Sequence, residues 1–374
     1  MPTEGELLVR VRSAGRRVTS VTAQCLRPRL AARLFPGRLA HEVAPLVRTL
    51  YALCGRSQAV AAEAAIEAIR TGRASEAARA GRARRIGAEA LLEHAWRLLV
   101  DAPRLAGREA AVQELANGRR ILSPFLDAGE ACELDATPLH DWSRGALLGR
   151  SAHAFLAMDT LDHLRECSIW SSTPVAGACA ALLDGNPALG ASAVALMPAP
   201  DEWIGAALVA AIDADEAFAD APDLQGTPLE TGALARTADH PLVAAAIAAW
   251  GRGFGARLVA RLVESARLLD SIEPAGGSIR PLDFGAAATG ADAAIAWVQT
   301  ARGLLVHRVR LAGDRIAGYR IVAPTEWNFH PRGAFASGAS GLDASDASAL
   351  EADVRRLVAS LDPCVGVRYE AAHA

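Results

Sequence analysis

Residues 323–332 read Ala-Pro-Thr-Glu-Trp-Asn-Phe-His-Pro-Arg, and residues 361–370 read Leu-Asp-Pro-Cys-Val-Gly-Val-Arg-Tyr-Glu. Between them Leu350, Val354, Leu357, Val358 and Leu361 share one face of a helix. A rigid polar loop therefore comes first, then a helix, then a cysteine on a turn fixed by Pro363. A thiolate placed this way is a candidate metal ligand. A lone free cysteine is as readily a small core residue, so the rest of the chain decides how Cys364 reads.

Immediately upstream, residues 303–322 predict a β-hairpin. Leu305, His307, Val309 and Leu311 alternate with Leu304, Val306, Arg308 and Arg310, and Ala312-Gly313-Asp314 makes the turn. Ala286–Asp292 reads as a loop. Pro241–Ser271 predicts a long apolar helix at the centre of the fold, interrupted by Gly251, Gly253 and Gly255. Helices are also expected over 75–100, broken by Asp101-Ala102-Pro103, and over 104–117 and 138–166. His140, His153 and His163 lack the i, i+4 spacing of a helical metal pair and read as structural.

At the other end, Leu7, Val9 and Val11 share a strand face, and Val18–Gln24 returns after Ser13-Ala14-Gly15, so a first hairpin is expected. A helix over 41–53 follows, with Val43, Leu46, Val47 and Leu50 on its apolar face. It ends at Leu53-Cys54-Gly55. Gly55 suits a left-handed cap, which would expose the Cys54 thiol. A second helix runs Gln58–Thr71.

The chain has 374 residues, 51% of them hydrophobic, enough for a large core. The 39 basic residues are all arginine and stand against 42 acidic ones, for a net charge of -3. No basic excess of the kind that binds nucleic acid is present. Met1 leads into Pro2-Thr3-Glu4-Gly5-Glu6 without a signal-peptide pattern, and apolar runs such as Pro241–Trp250 are too short to span a membrane. Cysteines 25, 54, 132, 167, 179 and 364 form no close pairs, which fits reduced thiols in the cytoplasm.

The order of hairpin, helix ending in Cys-Gly, helical core, second hairpin, Pro-Thr-x-Trp-Asn and Asp-Pro-Cys resembles the large subunit of nickel–iron hydrogenases. The match is specific in Arg302-Gly303, Gly318-Tyr319, Pro324-Thr325-Glu326-Trp327-Asn328 and Ser360-Leu361-Asp362-Pro363-Cys364, and weak in the middle of the chain. The family's paired cysteines are each reduced to one. The second thiol of each pair, which bridges nickel and iron in the family, is Ser57 or Val367 here. The family's closing histidine is Glu370, and the histidine that follows its first cysteine pair is Ala61. With only Ala371–Ala374 after Glu370, no long cleavable extension is expected. This degenerate pattern looks like the hydrogenase expression/formation protein HupK (HoxV) family, whose members are implicated in cofactor assembly.

That resemblance implies a mainly α fold with small β-hairpins (α+β) around a hydrogenase large-subunit-like helical core. One domain is expected over 1–374, with a hairpin at 1–25, the helical core at 26–285 and the hairpin, helix and tail at 286–374. Cys54 and Cys364 become the candidate metal ligands, with their sulfurs in reach of a common ion. Arg302, Pro324 and Thr325 correspond to the family's cage for diatomic ligands, where guanidinium and hydroxyl donors orient a metal fragment. Glu4 corresponds to a proton-transfer glutamate. Valine cannot ligate and serine is a hard substitute for a thiolate, so nickel is not expected. Two thiolates suffice for one iron that brings its own cyanide and carbonyl ligands. The implied function is a non-catalytic scaffold that receives this fragment from a small maturation chaperone and passes it to the hydrogenase large subunit. A divergent hydrogenase and a metal-free decoy for maturation partners are the alternatives.

Overall fold

The structure is a computed structural model. It describes residues 5–72, 76–127, 135–166, 173–200, 202–271 and 282–373. These residues gather into two compact units. The first comprises Met1–Arg82, Ala193–Gly232 and Asp283–Ala374, and the second Ala83–Ser192 and Ala233–Leu282. The helical core expected over 26–285 is thus shared between two units.

All the described strands lie in the first unit. They are β1 (Glu6–Ala14), β2 (Arg17–Leu26), β3 (Ala195–Leu196), β4 (Leu229–Glu230), β5 (Phe284–Ala288), β6 (Ala293–Thr300), β7 (Gly303–Ala312), β8 (Arg315–Val322) and β9 (Gly366–His373). The expected N-terminal hairpin is present as β1 and β2, in register Val9↔Ala23, with an irregularity between Arg12 and Ser13. The tail, however, is not irregular. β9 pairs with β1 in parallel, Leu7 opposite Val367, which gives a three-stranded sheet in the order β2-β1-β9. Leu7, Leu8 and Val9 are all buried, so the middle strand is covered on both faces.

The second hairpin also has more partners than the sequence suggested. β7 and β8 are joined by β5 and β6 in an antiparallel sheet ordered β5-β6-β7-β8. The expected loop at 286–292 is in fact the end of β5 and its turn into β6. Every residue of β6 is buried. The helix Gly55–Arg70 packs across β5, β6 and β7. Ala59, Ala62 and Ala65 on the helix meet Ala294 and Ala296 on β6 in one apolar cluster with Val43, Val47, Val309 and Ile316. Small side chains on both partners let backbone approach backbone closely. Burying each Val or Ile there contributes about 1.5–3 kcal/mol.

The described elements of the second unit are all helices. The single helix expected over 241–271 is two, Pro241–Trp250 and Phe254–Asp270. Gly251 ends the first with φ +63, a left-handed backbone that a side chain would strain. Phe254–Asp270 is buried along almost its whole length, including Arg257, Arg261 and Glu264. Glu264 takes both Arg236, with Nε at 2.6 Å, and His94, with Nε2 at 2.7 Å. The segment at 75–100 runs further than expected. A π-type turn at Arg97–Asp101 carries helix Glu76–Trp96 past Asp101 to Leu105. The helix expected over 104–117 is Val112–Asp127. That over 138–166 comprises Thr137–Ser143 continued through Leu148, then Ala152–Leu156 and Leu161–Glu166.

Candidate metal-binding site

Pro324 opens a short helix, Pro324–Asn328, directly after β8. Its fixed φ suits a first helical position, and it holds Ala323 extended. The helix is buried throughout, with Trp327 fully enclosed. Asn328 is a tie. Its Oδ1 accepts the Thr231 N–H at 2.9 Å, and its Nδ2 donates to Thr231 O at 3.1 Å and Leu361 O at 3.4 Å. It thereby joins the short helix to the end of helix Ala347–Leu361. Asp362 ends that helix in the left-handed region, φ 54, and Pro363 follows. The buried Asp362 carboxylate is paired with buried Arg302, Nε to Oδ1 3.2 Å.

This turn delivers Cys364 to Thr325. The Cys364 N–H donates to Thr325 Oγ1 at 3.0 Å, and that hydroxyl lies 2.9 Å from Cys364 Sγ. Arg27 Nη2 donates to the same sulfur at 2.8 Å, while Arg27 Nε lies 3.5 Å from Glu326 Oε1. The Cys25 thiol stands close by. Burial and then the Glu326 carboxylate push it far above the ordinary thiol range. A half-buried sulfur is therefore contacted by a hydroxyl and a guanidinium.

Cys54 sits differently. It ends a 3₁₀ turn, Ala52–Cys54, just ahead of helix Gly55–Arg70. Gly55 does not take the left-handed cap expected of it. It is right-handed, φ −61, and begins the helix. Glycine is needed for closeness instead, since a Cβ there would lie 2.6 Å from the Arg48 carbonyl oxygen. Nor is the thiol exposed; Cys54 is buried. Gln58 Nε2 approaches its sulfur at 3.7 Å. Gln58 Oε1 is 2.8 Å from His307 Nε2, and His307 Nδ1 is 2.7 Å from the Tyr319 hydroxyl. Burial pushes His307 down to about 3, so the ring is neutral at pH 7. With the amide in this orientation, Tyr319 O–H donates to Nδ1 and Nε2–H donates to Gln58. Every donor in the chain points toward Cys54.

Of the residues singled out in the sequence, Cys364, Thr325 and Pro324 come together, with Arg302 joined to them through Asp362. Cys54 is held by Gln58, on its own helix. Tyr51 feels the charges of both surroundings, Arg27 and Glu326 on one side and Cys54 on the other; burial is the main cause of its raised phenol. Glu4 lies outside the described residues. Ser57 and Ala61 are buried on the helix that Gly55 begins, and Val367 is in β9. Among the described residues no cluster of three or more His, Cys, Asp or Glu side chains is arranged to hold a metal ion. Sequence reasoning passed over Cys25, Arg27, Glu326, Gln58 and His307. A Cys-x-Arg at a strand end and a buried histidine in an apolar strand were the available signals.

In fold, the chain is a nickel–iron hydrogenase large-subunit-like protein. It superposes on the nickel–iron–selenium hydrogenase of Desulfovibrio vulgaris Hildenborough with a TM-score of 0.59 at 16% identity, covering 93% of both chains. The hydrogenase of Desulfomicrobium baculatum gives 0.58, also at 16% identity, over 95% of both. The nickel-dependent hydrogenase family profile matches residues 256–367. Among curated proteins, the hydrogenase expression/formation protein HoxV of Cupriavidus necator is 34% identical over 361 residues, 92% of this chain and 91% of that one. The hydrogenase expression/formation protein HupK of Bradyrhizobium diazoefficiens is 32% identical over 348 residues, 91% of each. The chain belongs to this HoxV/HupK family of hydrogenase expression/formation proteins.

Proposed function

We propose that this protein is an accessory factor of nickel–iron hydrogenase maturation. It holds the iron–dicyanide–carbonyl fragment on Cys54 and Cys364, then passes it to the hydrogenase large subunit. The observation that carries this reading is the setting of Cys364. Its sulfur lies 2.9 Å from the Thr325 hydroxyl and 2.8 Å from Arg27 Nη2, on a turn pinned by Arg302 and Asp362. Hydrogen-bond donors beside a ligating sulfur suit a fragment whose cyanide nitrogens are acceptors. Each thiol that binds iron gives up its proton to solvent, and no electron moves.

By the sequence resemblance Ser57 and Val367 correspond to the enzymes' other thiols, which argues against a resident nickel–iron centre and against hydrogen turnover. The same substitutions favour release. A two-thiol holder binds its cargo less tightly than a four-thiol acceptor, so transfer runs downhill to the large subunit. A small maturation chaperone is the donor in this scheme. No described helix is long and apolar enough to cross a membrane, and the scheme places the protein in the cytoplasm with its partners.

Infrared spectroscopy on protein co-produced with the maturation machinery tests this. Cyanide and carbonyl stretches are expected in the wild type and lost in Cys364→Ala or Cys54→Ala. Bands absent from the wild type leave the decoy reading, and bands that survive loss of both cysteines put the fragment on other residues and overturn the two-thiol holder. Stoichiometric nickel with hydrogen oxidation would establish the divergent enzyme instead.

A further inference from the structure

Beside Arg27 and Glu326 the first unit contains a cavity of about 380 Å³. This volume falls in the range of small-molecule sites. Its lining combines small apolar residues such as Ala31 and Ala323 with charged ones. Four guanidiniums, of Arg27, Arg29, Arg33 and Arg320, face three carboxylates, of Glu216, Asp220 and Glu326. Arg29 pairs with Asp220 at 2.7 Å, Arg320 with Glu216 at 3.5 Å, and Arg27 with Glu326 at 3.5 Å. Among the described residues Arg33 forms no ion pair, so the lining carries one uncompensated positive charge.

Cys364 does not line the cavity, but the residue that caps its sulfur does. Arg27 contributes to the wall and places Nη2 on Cys364 Sγ. Arg27 Nε is buried without a hydrogen bond and lies 3.5 Å from Glu326 Oε1. An anion entering the cavity offers this guanidinium a charged partner in exchange for the sulfur, and its donors turn with it.

We propose that this cavity is the port through which a small anionic metal fragment reaches Cys364, with Arg27 as the movable cap on the sulfur. The identity of the cargo rests on the function proposed above. The anion preference and the cap rest on the charges and contacts of the cavity itself. In the empty protein Arg27 covers the sulfur. On arrival of an anion the guanidinium turns to the incoming charge and uncovers the thiol. The uncompensated Arg33 draws the anion to the cavity.

Alkylation of the full-length protein separates these statements from the cargo. Iodoacetate and iodoacetamide attack the same thiolate, so the ratio of their rates at Cys364 cancels the ionisation of the sulfur and reports the local field. At low ionic strength, Arg33→Glu is expected to lower that ratio roughly three-fold. The difference should collapse near 1 M salt, where the screening length is about 3 Å. Arg33 is exposed, so the variant should keep its fold, and Arg33→Gln should give an intermediate ratio. Arg27→Ala should speed iodoacetamide at Cys364 several-fold on the high-pH plateau, where the sulfur is fully ionised in both proteins. A ratio indifferent to Arg33→Glu overturns the port. A plateau rate that does not rise in Arg27→Ala overturns the cap, and a Cys364 inert to both reagents in both proteins overturns the two together. If the ratio shifts as stated while the wild type shows no cyanide or carbonyl bands, the port stands and the iron cargo falls.

Discussion

The two candidate thiols occupy opposite kinds of environment. Cys364 is half-buried among charges, with Arg27 on its sulfur, Glu326 behind Arg27, and the buried Arg302–Asp362 pair shaping its turn. Cys54 is buried at the end of a neutral chain, Tyr319, His307 and Gln58, with no ionised group in it at pH 7. The charged setting answers to ions and salt. The neutral one answers to geometry, and to pH through the proton that His307 refuses. A fragment held by both would find one sulfur set among charges and one buried in a neutral network.

The sharpest way to break the charged side is Arg302→Met. It leaves the Asp362 carboxylate buried without its guanidinium, at a cost of about 3–5 kcal/mol. Chemical denaturation should show this, and Asp362→Asn in the same chain should recover most of it. A loss under about 1 kcal/mol would mean that the pair does not hold the turn.

The neutral side is sharpened by pH. His307 is held down at about 3 in the folded chain against 6.5 when unconstrained. Above pH 6.5 both states are neutral there, and the residue contributes no pH dependence. As pH falls below 6.5 the unfolded chain takes up a proton that the folded one does not, so stability declines by about 1.4 kcal/mol per pH unit. His94 and His240 are also lowered, chiefly by burial, and act in the same direction. Glu264, held near 2 against an ordinary 4.5, adds its own loss only below 4.5. Between pH 6.5 and 4.5 the slope should therefore become shallower in His307→Gln, whose amide keeps a donor and an acceptor without titrating. An unchanged slope would show that the ring is not the neutral link described here. The smallest effect is expected at the surface. Arg10 and Glu370 join β1 to β9 at 2.7 Å, but both side chains are nearly half exposed, so Arg10→Ala should cost no more than about 1 kcal/mol by thermal melting.

The parts of this molecule that were legible in the sequence are those whose signal is local. Alternation marks β7 and β8, and Pro-Thr-x-Trp-Asn with Asp-Pro-Cys marks the C-terminal site. The strands β5 and β6 were missed because Ala286, Ala287, Ala288, Ala293, Ala294 and Ala296 carry little strand preference. They are strands because a helix with equally small residues packs on them. β9 was missed because its partner is at the other end of the chain. Arg27 read as part of a connector, since nothing near it in sequence announces that it will touch Cys364. The exposed Cys54 was an error of cap geometry. Gly55 serves the approach of Arg48, and the thiol turns inward.

The parallel pairing of β1 with β9 has a consequence in time. Arg10 and Glu370 are 360 positions apart, so during synthesis β1 must wait for nearly the whole of the described chain before its second neighbour exists. The unit that carries both thiols is built from three separated segments, and both segments of the other unit are made before its last one begins. A ribosome that stops short of Asp362 leaves a chain with the Cys54 chain of hydrogen bonds but no Cys364, no strand to close the sheet and nothing for Arg27 to cap. Cargo that requires both sulfurs can be loaded only after translation has passed that point, which ties loading to the synthesis of the third segment of this unit.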